Sequence, residues 1–212
     1  MVVTRISRRR GRIPRCTICF DNGESLSVNE ETLTRSGIRT GDTLDAVDIR
    51  RIQSDDALAS AQTSAVNYLS YRPRSSREVR DHLTRKGFAE PIARQVVDRL
   101  VELRMIDDAS FARMFLRDRL RRGRTGELLL RQELIGRGIA RAIADQALRD
   151  TITPDEQESA AMALARKKLS HARPPRETKA ALQARQRLYA FLLRRGFTND
   201  IAQRTVRSLI PS

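Results

Sequence analysis

The amino-acid sequence predicts a mainly α-helical protein of three tandem three-helix repeats, which form an elongated, curved array behind a small N-terminal α/β module. Two observations carry this prediction. From residue 54 onward, apolar residues recur at helical spacing around three glycines, with a period of about 50 residues. Before residue 54, the chain alternates polar and apolar residues in the manner of a β-hairpin.

The N-terminal module, residues 1–53, begins with hairpin signals. Alternating apolar residues in Arg15–Phe20 and in Glu24–Val28 predict two strands with one buried face. Asn22 and Gly23 lie between them and favour left-handed backbone, which is typical of a tight β-turn. The sequence therefore predicts a hairpin with a two-residue turn.

Short helices and a basic patch complete the module. A helix is predicted over Glu30–Ser36, where Gly37 stops it, and a second one near Asp45–Ile52. The basic patch can be a functional surface or simply part of a frayed chain end, and both interpretations stay open. It consists of Arg8, Arg9, Arg10 and Arg12.

Three glycines anchor the helical repeats: Gly87, Gly138 and Gly196. Each follows a basic residue and precedes an apolar one. Apolar residues at helical spacing on both sides predict a helix ended by a left-handed glycine, a short corner and a further buried helix. The matching positions are Val79, Leu130 and Leu188; Leu83, Leu134 and Leu192; and Ile92, Ile143 and Ile201.

Acidic residues mark the predicted start of the first helix in each repeat. Carboxylates favour this position because they accept hydrogen bonds from first-turn N–H groups. The acidic residues are the pairs Asp55-Asp56 and Asp107-Asp108 and the segment Thr153–Glu156. Ser75 with Glu78, like Thr153 with Glu156, also has the spacing of a capping box. The predicted repeats are residues 54–104, 105–151 and 152–212.

The charge of the chain indicates a polyanionic partner. The net charge is +15, and 37 of the 41 basic residues are arginine, whose planar donors suit phosphate or carboxylate oxygens. A GC-rich coding sequence is an alternative explanation of the arginine bias. The N-terminal module contributes almost nothing to the surplus, because residues 1–56 contain 10 basic and 9 acidic residues.

Composition also excludes several classes of protein. No apolar run is long enough to cross a bilayer or form a signal peptide, so we expect a cytoplasmic protein. Two cysteines and two histidines are too few for a disulfide framework or an ordinary zinc site. An aromatic content of 4% argues against recognition of nucleic acid by base stacking.

Within the repeats, basic residues gather between the first and second helix, at what we call the basic corners. A helix C-terminus favours one or two cations, but five in eight residues exceed that need and repel one another. We therefore expect exposed arginines that align as a binding stripe, the alternative being a solvated face. The corners contain Arg72, Arg74 and Arg77; Arg117, Arg119, Arg121, Arg122 and Arg124; and Arg166, Lys167, Lys168, Arg173 and Arg176.

Other chemistries are weaker interpretations. Cys16 and Cys19 have redox or metal spacing, but strand alternation points them to opposite faces, so we expect ordinary hairpin residues with Cys16 buried. The acidic pairs fit capping better than a nuclease metal site. Segment 123–126 lacks the ending of a phosphate-binding loop and predicts a turn. The aromatic residues fit a core, with Tyr71 the best candidate for base stacking.

Several segments together resemble a known family. They include YLSYRPRS at Tyr68–Ser75, KGF at Lys86–Phe88, IDD at Ile106–Asp108 and LRQEL at Leu130–Leu134, with a looser match at Arg194–Phe197. In order and spacing they resemble the RecX regulatory proteins of bacteria. The leading segment is similar to the extension that longer members carry.

The resemblance implies a modulator that binds the RecA recombinase filament on single-stranded DNA and inhibits its ATPase, strand-exchange and co-protease activities. Such a protein regulates recombination, DNA repair and the SOS response. It implies no enzymatic activity and no cofactor. We expect a monomer that contacts single-stranded DNA weakly through its charge, with double-stranded DNA as a further candidate partner.

Basic residues inside the matched segments are the candidate binding residues. These are Arg72, Arg74, Arg77, Arg80, Arg113, Arg117 and Arg131, to which the charge pattern alone adds Arg119, Arg121, Arg122 and Arg124. The alternative function is a helical-repeat DNA-binding protein, a transcription regulator or an architectural protein, acting through phosphate contacts.

Overall fold

The computed structural model describes residues 1–9, 14–123, 125–170 and 178–210. Of these described residues, 68% are helical, and a three-stranded antiparallel sheet lies at the N-terminus. Two compact units are present, one formed by residues 1–73 and 79–106 and the other by residues 74–78 and 107–212. The predicted fold class, an N-terminal α/β module followed by three three-helix repeats, is confirmed.

The N-terminal sheet contains one strand more than the predicted hairpin. Its strands β1 (Val3–Arg9), β2 (Arg15–Phe20) and β3 (Ser25–Asn29) are neighbours in that order. β1 was not predicted, because its only apolar residues, the buried Val3 and the half-buried Ile6, are three positions apart and show no strand alternation. Of the basic patch, Arg8 and Arg9 lie in β1, while Arg10 and Arg12 fall outside the described residues.

The turn between β2 and β3 is longer than predicted. The Phe20 N–H donates to the Glu24 carbonyl at 2.9 Å, so three residues, Asp21–Gly23, form the loop. Gly23 has φ 82°, a left-handed conformation that glycine adopts without strain. The prediction of a hairpin here is confirmed, and the prediction of a two-residue turn is wrong.

The helices of the module differ partly from the prediction. Helix α1 (Glu30–Ser36) ends at Gly37, which has φ 66°, as predicted. Helix α2 runs from Ala46 to Leu69 without a break and passes through residue 54, where the sequence placed a boundary. Its N-cap is Asp45, whose side chain accepts hydrogen bonds from the Val47 and Asp48 N–H groups. The predicted helix start at the Asp55-Asp56 pair is therefore wrong.

Asp56 has a different task from capping. Its carboxylate is buried inside the module, where it accepts the Asn29 N–H at 2.5 Å and pairs with Arg15 at 3.1 Å. These partners are 27 and 41 residues away in sequence, so a local pattern could not indicate them. The acidic residue holds the end of the hairpin against α2.

Eight further helices follow, and together with α2 they form the three repeats. The glycine anchors are confirmed, since Gly87, Gly138 and Gly196 have φ of 89°, 82° and 83°. The leucines four residues before them are fully buried, one in the core of each repeat. The helices are α3 (Ser76–Arg85), α4 (Glu90–Glu102), α5 (Asp108–Arg122), α6 (Glu127–Gly136), α7 (Arg141–Thr151), α8 (Pro154–Ser170), α9 (Thr178–Arg194) and α10 (Asn199–Leu209).

The remaining capping predictions are confirmed. Asp107 accepts hydrogen bonds from the Ala109 and Ser110 N–H groups at the start of α5. Ser75 with Glu78 and Thr153 with Glu156 exchange side-chain and backbone hydrogen bonds in both directions. Each of these helix starts thus satisfies N–H groups that have no partner within the helix.

Replacement of Asp107 by alanine should lower the free energy of unfolding by about 1 kcal/mol at neutral pH. Hydrogen bonds from Ser110 hold the pKa of Asp107 below its ordinary value. A lowered folded-state pKa means that the ionised carboxylate stabilises the fold above its unfolded-state pKa, and that this contribution disappears as the pH falls through the folded-state pKa. Urea unfolding of wild type and D107A at about pH 6 and about pH 3 should show the difference shrinking.

The matched control for this experiment is D55A. Asp55 is exposed in the middle of α2 and caps no helix in the described structure, so its loss should change stability little at either pH. An equal effect of D107A at both pH values would contradict the capping role.

A repeated contact joins the second and third repeats. Immediately before α6, the Gly126 N–H donates to the Arg195 carbonyl at 2.8 Å, and the Leu128 N–H donates to the Gly196 carbonyl at 2.9 Å. The N-terminus of the second helix of one repeat thereby lies on the glycine corner of the next. Gly126 is buried, and only hydrogen fits in place of its side chain.

The segment Arg74–Glu78 makes the equivalent contact with the second repeat. The Ser75 hydroxyl donates to the Arg137 carbonyl at 2.7 Å, and the Arg137 guanidinium pairs with Glu78 at 2.8 Å. The Ser76 N–H donates to Asp108 at 2.8 Å. Arg137 and Arg195 precede equivalent glycines, so the repeats use the same structural position twice.

Candidate functional site

The basic corner at the end of α5 contains four described arginines, more basic residues than either of the other two corners has within the described residues. Arg117 and Arg121 are exposed and four residues apart, so they project from the same side of the helix. Within the described residues, no carboxylate is paired with either guanidinium. These two side chains can therefore donate hydrogen bonds to an external phosphate or carboxylate.

Arg119, unlike Arg117 and Arg121, has a carboxylate partner within the protein. Its guanidinium donates two hydrogen bonds to the Glu133 carboxylate on α6, one of them at 2.7 Å. This hydrogen bonding raises the pKa of Arg119. The guanidinium also lies 5.8 Å from the centre of the Phe115 ring. The expectation that Arg119 is freely exposed is wrong, because the residue holds α5 against α6.

Arg122 and Arg124 complete this corner in sequence. The Arg122 guanidinium pairs with Asp118 at 3.1 Å, but 71% of its side chain remains exposed. An exposed pair between neighbouring turns of one helix contributes little to stability and exchanges readily for another anion. Arg124 lies outside the described residues.

Arg131 also has a structural environment. Its guanidinium pairs with Glu127 and with Asp145, both at 2.6 Å, and only 26% of its side chain is exposed. It connects α6 to α7 inside the second repeat. Arg113 is half-buried and donates a hydrogen bond to the Ser110 hydroxyl at 3.0 Å.

The candidates around the start of α3 have mixed exposure. Arg72 and Arg77 are exposed, whereas Arg74 and Arg80 are half-buried. The Arg80 guanidinium lies 3.9 Å from Glu90. Tyr71, next to this group, has 76% of its surface exposed and so remains a candidate for contact with a ligand.

The third corner follows the last turns of α8. Arg166 and Lys167 are exposed, and the Lys168 ammonium lies 5.6 Å from the centre of the Phe191 ring. Arg173 and Arg176 fall outside the described residues. The alignment of the three corners as a stripe stays a prediction.

The described residues contain neither a metal-binding cluster nor a membrane-spanning helix. No three His, Cys, Asp or Glu side chains of the described residues are grouped so that they could hold a metal ion. Cys16 is buried, and Cys19 lies on the opposite side of β2, as the alternation predicted. Among the described helices, none is long and apolar enough to span a membrane.

Three family models match this chain in consecutive order. They describe the first, second and third three-helix domains of RecX, and they match residues 61–100, 107–148 and 155–206. The chain belongs to the RecX family. The resemblance of its motifs to RecX proteins is thereby confirmed.

Curated RecX proteins match nearly the whole chain. The regulatory protein RecX of Halalkalibacterium halodurans is 32% identical over 206 residues, which cover 95% of this chain and 76% of that protein. The regulatory protein RecX of Bacillus cytotoxicus is 28% identical over 206 residues, covering 95% and 74%. The chain is thus a member of a family of regulatory proteins.

Solved RecX structures share this fold. One crystal structure of regulatory protein RecX matches with a TM-score of 0.74 and 25% identity over 99% of this chain and 98% of its own. RecX from Lactobacillus salivarius matches with a TM-score of 0.63 and 26% identity over 73% of this chain and 97% of its own. The first match includes the N-terminal module, so this RecX protein of known structure has a similar module.

Proposed function

We propose that this RecX-family protein binds RecA recombinase filaments on single-stranded DNA and inhibits their ATPase, strand-exchange and co-protease activities. It thereby regulates recombination, DNA repair and the SOS response in the cytoplasm. The observation that carries the proposal is the match of all three RecX domains, in order, to one chain.

The open cations of the basic corners support the proposal physically. A nucleoprotein filament presents phosphates and acidic side chains at regular intervals, and a protein of tandem repeats can contact several of them at once. Arg117 and Arg121 are available for such contacts, since no described carboxylate occupies them. Arg119 and Arg131 have a structural role instead, because their ion pairs connect α5 to α6 and α6 to α7.

The test is ATP hydrolysis by RecA on single-stranded DNA with increasing amounts of this protein. We expect hydrolysis to fall at substoichiometric doses, because one molecule bound to a filament affects many protomers. Unchanged hydrolysis at an equimolar dose would contradict the proposal.

A second ATPase separates filament binding from simple coating of the DNA. An unrelated helicase whose ATPase needs the same single-stranded DNA should be unaffected at the doses that inhibit RecA. Equal inhibition of both enzymes would indicate that the protein only sequesters DNA.

A further inference from the structure

The N-terminal sheet has one side that packs on the module core and one side that faces solvent. The core side contributes the buried residues Val3, Cys16, Ile18 and Val28. The strand register places the alternate residues of all three strands on the opposite side. We call the solvent-facing part of this side the outer sheet face: Arg5, Ser7 and Arg9 of β1, Arg15, Thr17 and Cys19 of β2, and Ser25 and Ser27 of β3. Asn29, at the end of β3, has the same register, but it is buried and donates a hydrogen bond to the Ser60 hydroxyl of α2 at 2.8 Å.

The outer sheet face is basic and rich in hydroxyl groups, although the module as a whole is nearly neutral. It has three arginines and four hydroxyl side chains, with no carboxylate and no large apolar residue. The acidic residues of the module lie elsewhere, in the hairpin loop, in α1 and around α2. The total charge of residues 1–56 therefore hides a strongly one-sided distribution.

The arginines of this face differ in how far they are engaged. Arg15 donates to the Ser27 hydroxyl at 3.0 Å and pairs with Asp56 at 3.1 Å, so it is held at the start of the central strand β2. Arg5 and Arg9 are exposed, and no carboxylate within the described part of the chain pairs with them. Two cations therefore remain open on β1.

The register gives these groups a regular spacing. Ser7, Thr17 and Ser27 pair across the three strands and form a row of hydroxyl groups. Arg5 lies on one side of this row and Arg9 on the other, about 13 Å apart along the strand. The row itself spans about 10 Å across the sheet. The face thus offers hydroxyl donors between two cations.

We propose that the outer sheet face binds the sugar–phosphate backbone of single-stranded DNA. Arginine and hydroxyl side chains are the usual partners of phosphate oxygens. The face has no aromatic residue for stacking, so binding should not depend on base sequence. A flexible single strand can lay successive phosphates across the hydroxyl row, whereas a stiff duplex touches a twisted sheet along one line.

This inference does not rest on regulation of RecA, since it concerns DNA alone. It assigns DNA contacts to the N-terminal module, in addition to the contacts proposed for the basic corners of the helical repeats. The DNA-binding experiment and the ATPase assay can therefore fail independently of each other.

The test is fluorescence anisotropy of a labelled oligothymidine with the full-length variant R5E/R9E. We expect binding to weaken on the order of tenfold at low salt, because two phosphate contacts are replaced by repulsion. The dependence of log affinity on log salt concentration should become shallower by about 1.4. Thermal unfolding should match wild type, because both side chains are exposed.

The matched control is R39E/R50E. Arg39 and Arg50 belong to the same module, are exposed and lie off the sheet, so this variant has the same net charge as R5E/R9E. It should bind oligothymidine nearly as well as wild type does.

Three results would overturn the proposal. They are an equal loss of affinity in both variants, an unchanged affinity of R5E/R9E, and stronger competition by duplex DNA than by single strands. The first result would indicate that only the overall charge matters. The last would indicate a different nucleic-acid partner.

Discussion

Replacement of Gly126 by alanine should lower the free energy of unfolding of the unit formed by residues 74–78 and 107–212 by about 3 kcal/mol or more. An added Cβ would overlap the Gly196 carbonyl and the Phe197 nitrogen, well inside the 3.0 Å that real Cβ atoms keep. These are backbone atoms, so no flexible side chain can move aside. The two backbone hydrogen bonds between the repeats would be stretched or lost as a consequence.

Urea unfolding followed by circular dichroism measures this effect, and Gly136 provides the matched control. Gly136 lies in the last turn of α6, at the other end of the same helix, where an added Cβ meets open space. G136A should be neutral or more stable by about 0.5–1 kcal/mol, since alanine restricts the unfolded chain. A G126A variant as stable as wild type would show that the contact between repeats is loose.

The glycines show how far sequence patterns reach. Gly87, Gly138 and Gly196 were predicted to be left-handed, because the apolar spacing on both sides of each glycine is a local signal. Gly126 was predicted only as part of a turn. Its constraint comes from residues 70 positions further along the chain, so no local pattern carries it. Helix ends are readable from sequence, and contacts between repeats are not.

The same limit applies to the acidic and basic residues. The sequence located the cluster at the end of α5, but exposure was inferred from charge alone. Arg119 forms a hydrogen bond with Glu133, which lies on the next helix and is 14 residues away in sequence. Arg131 forms one with Asp145 at the same sequence separation. The local acidic pair predicted a helix start at Asp56, but the partners of Asp56 are Arg15 and Asn29 in the distant hairpin, which a local pattern does not show. A charge pattern thus predicts where cations gather but not which of them have partners.

The N-terminal strand β1 was missed for a related reason. Its only apolar positions are Val3 and Ile6, and a bulge after Val3 breaks the alternation between them. Arginine-rich segments are usually interpreted as solvated ends. The backbone hydrogen bonds to β2 hold this segment as a strand, although its local sequence does not predict one. The same pairing places Arg5, Ser7 and Arg9 on the outer sheet face.

The variant R117E/R121E should lose inhibition of RecA while keeping the fold. Both side chains are exposed, and neither has a carboxylate partner in the described structure, so their replacement removes no internal interaction. Reversal of two charges converts attraction to an anionic surface into repulsion, which should raise the dose needed for half inhibition on the order of tenfold or more. Arg119 must stay unchanged in this variant, because a glutamate there would face Glu133 and loosen the second repeat.

The control with the same change of net charge is R187E/R207E. Arg187 and Arg207 are exposed on α9 and α10 and belong to no basic corner, so this variant should inhibit nearly as well as wild type. Urea unfolding of both variants must match wild type for the comparison to count. If R117E/R121E still inhibits at the wild-type dose, the corner is a solvated face, and filament contact must come from other residues. If both variants lose inhibition equally, the total charge draws the protein to the filament and the corner adds no specific contact.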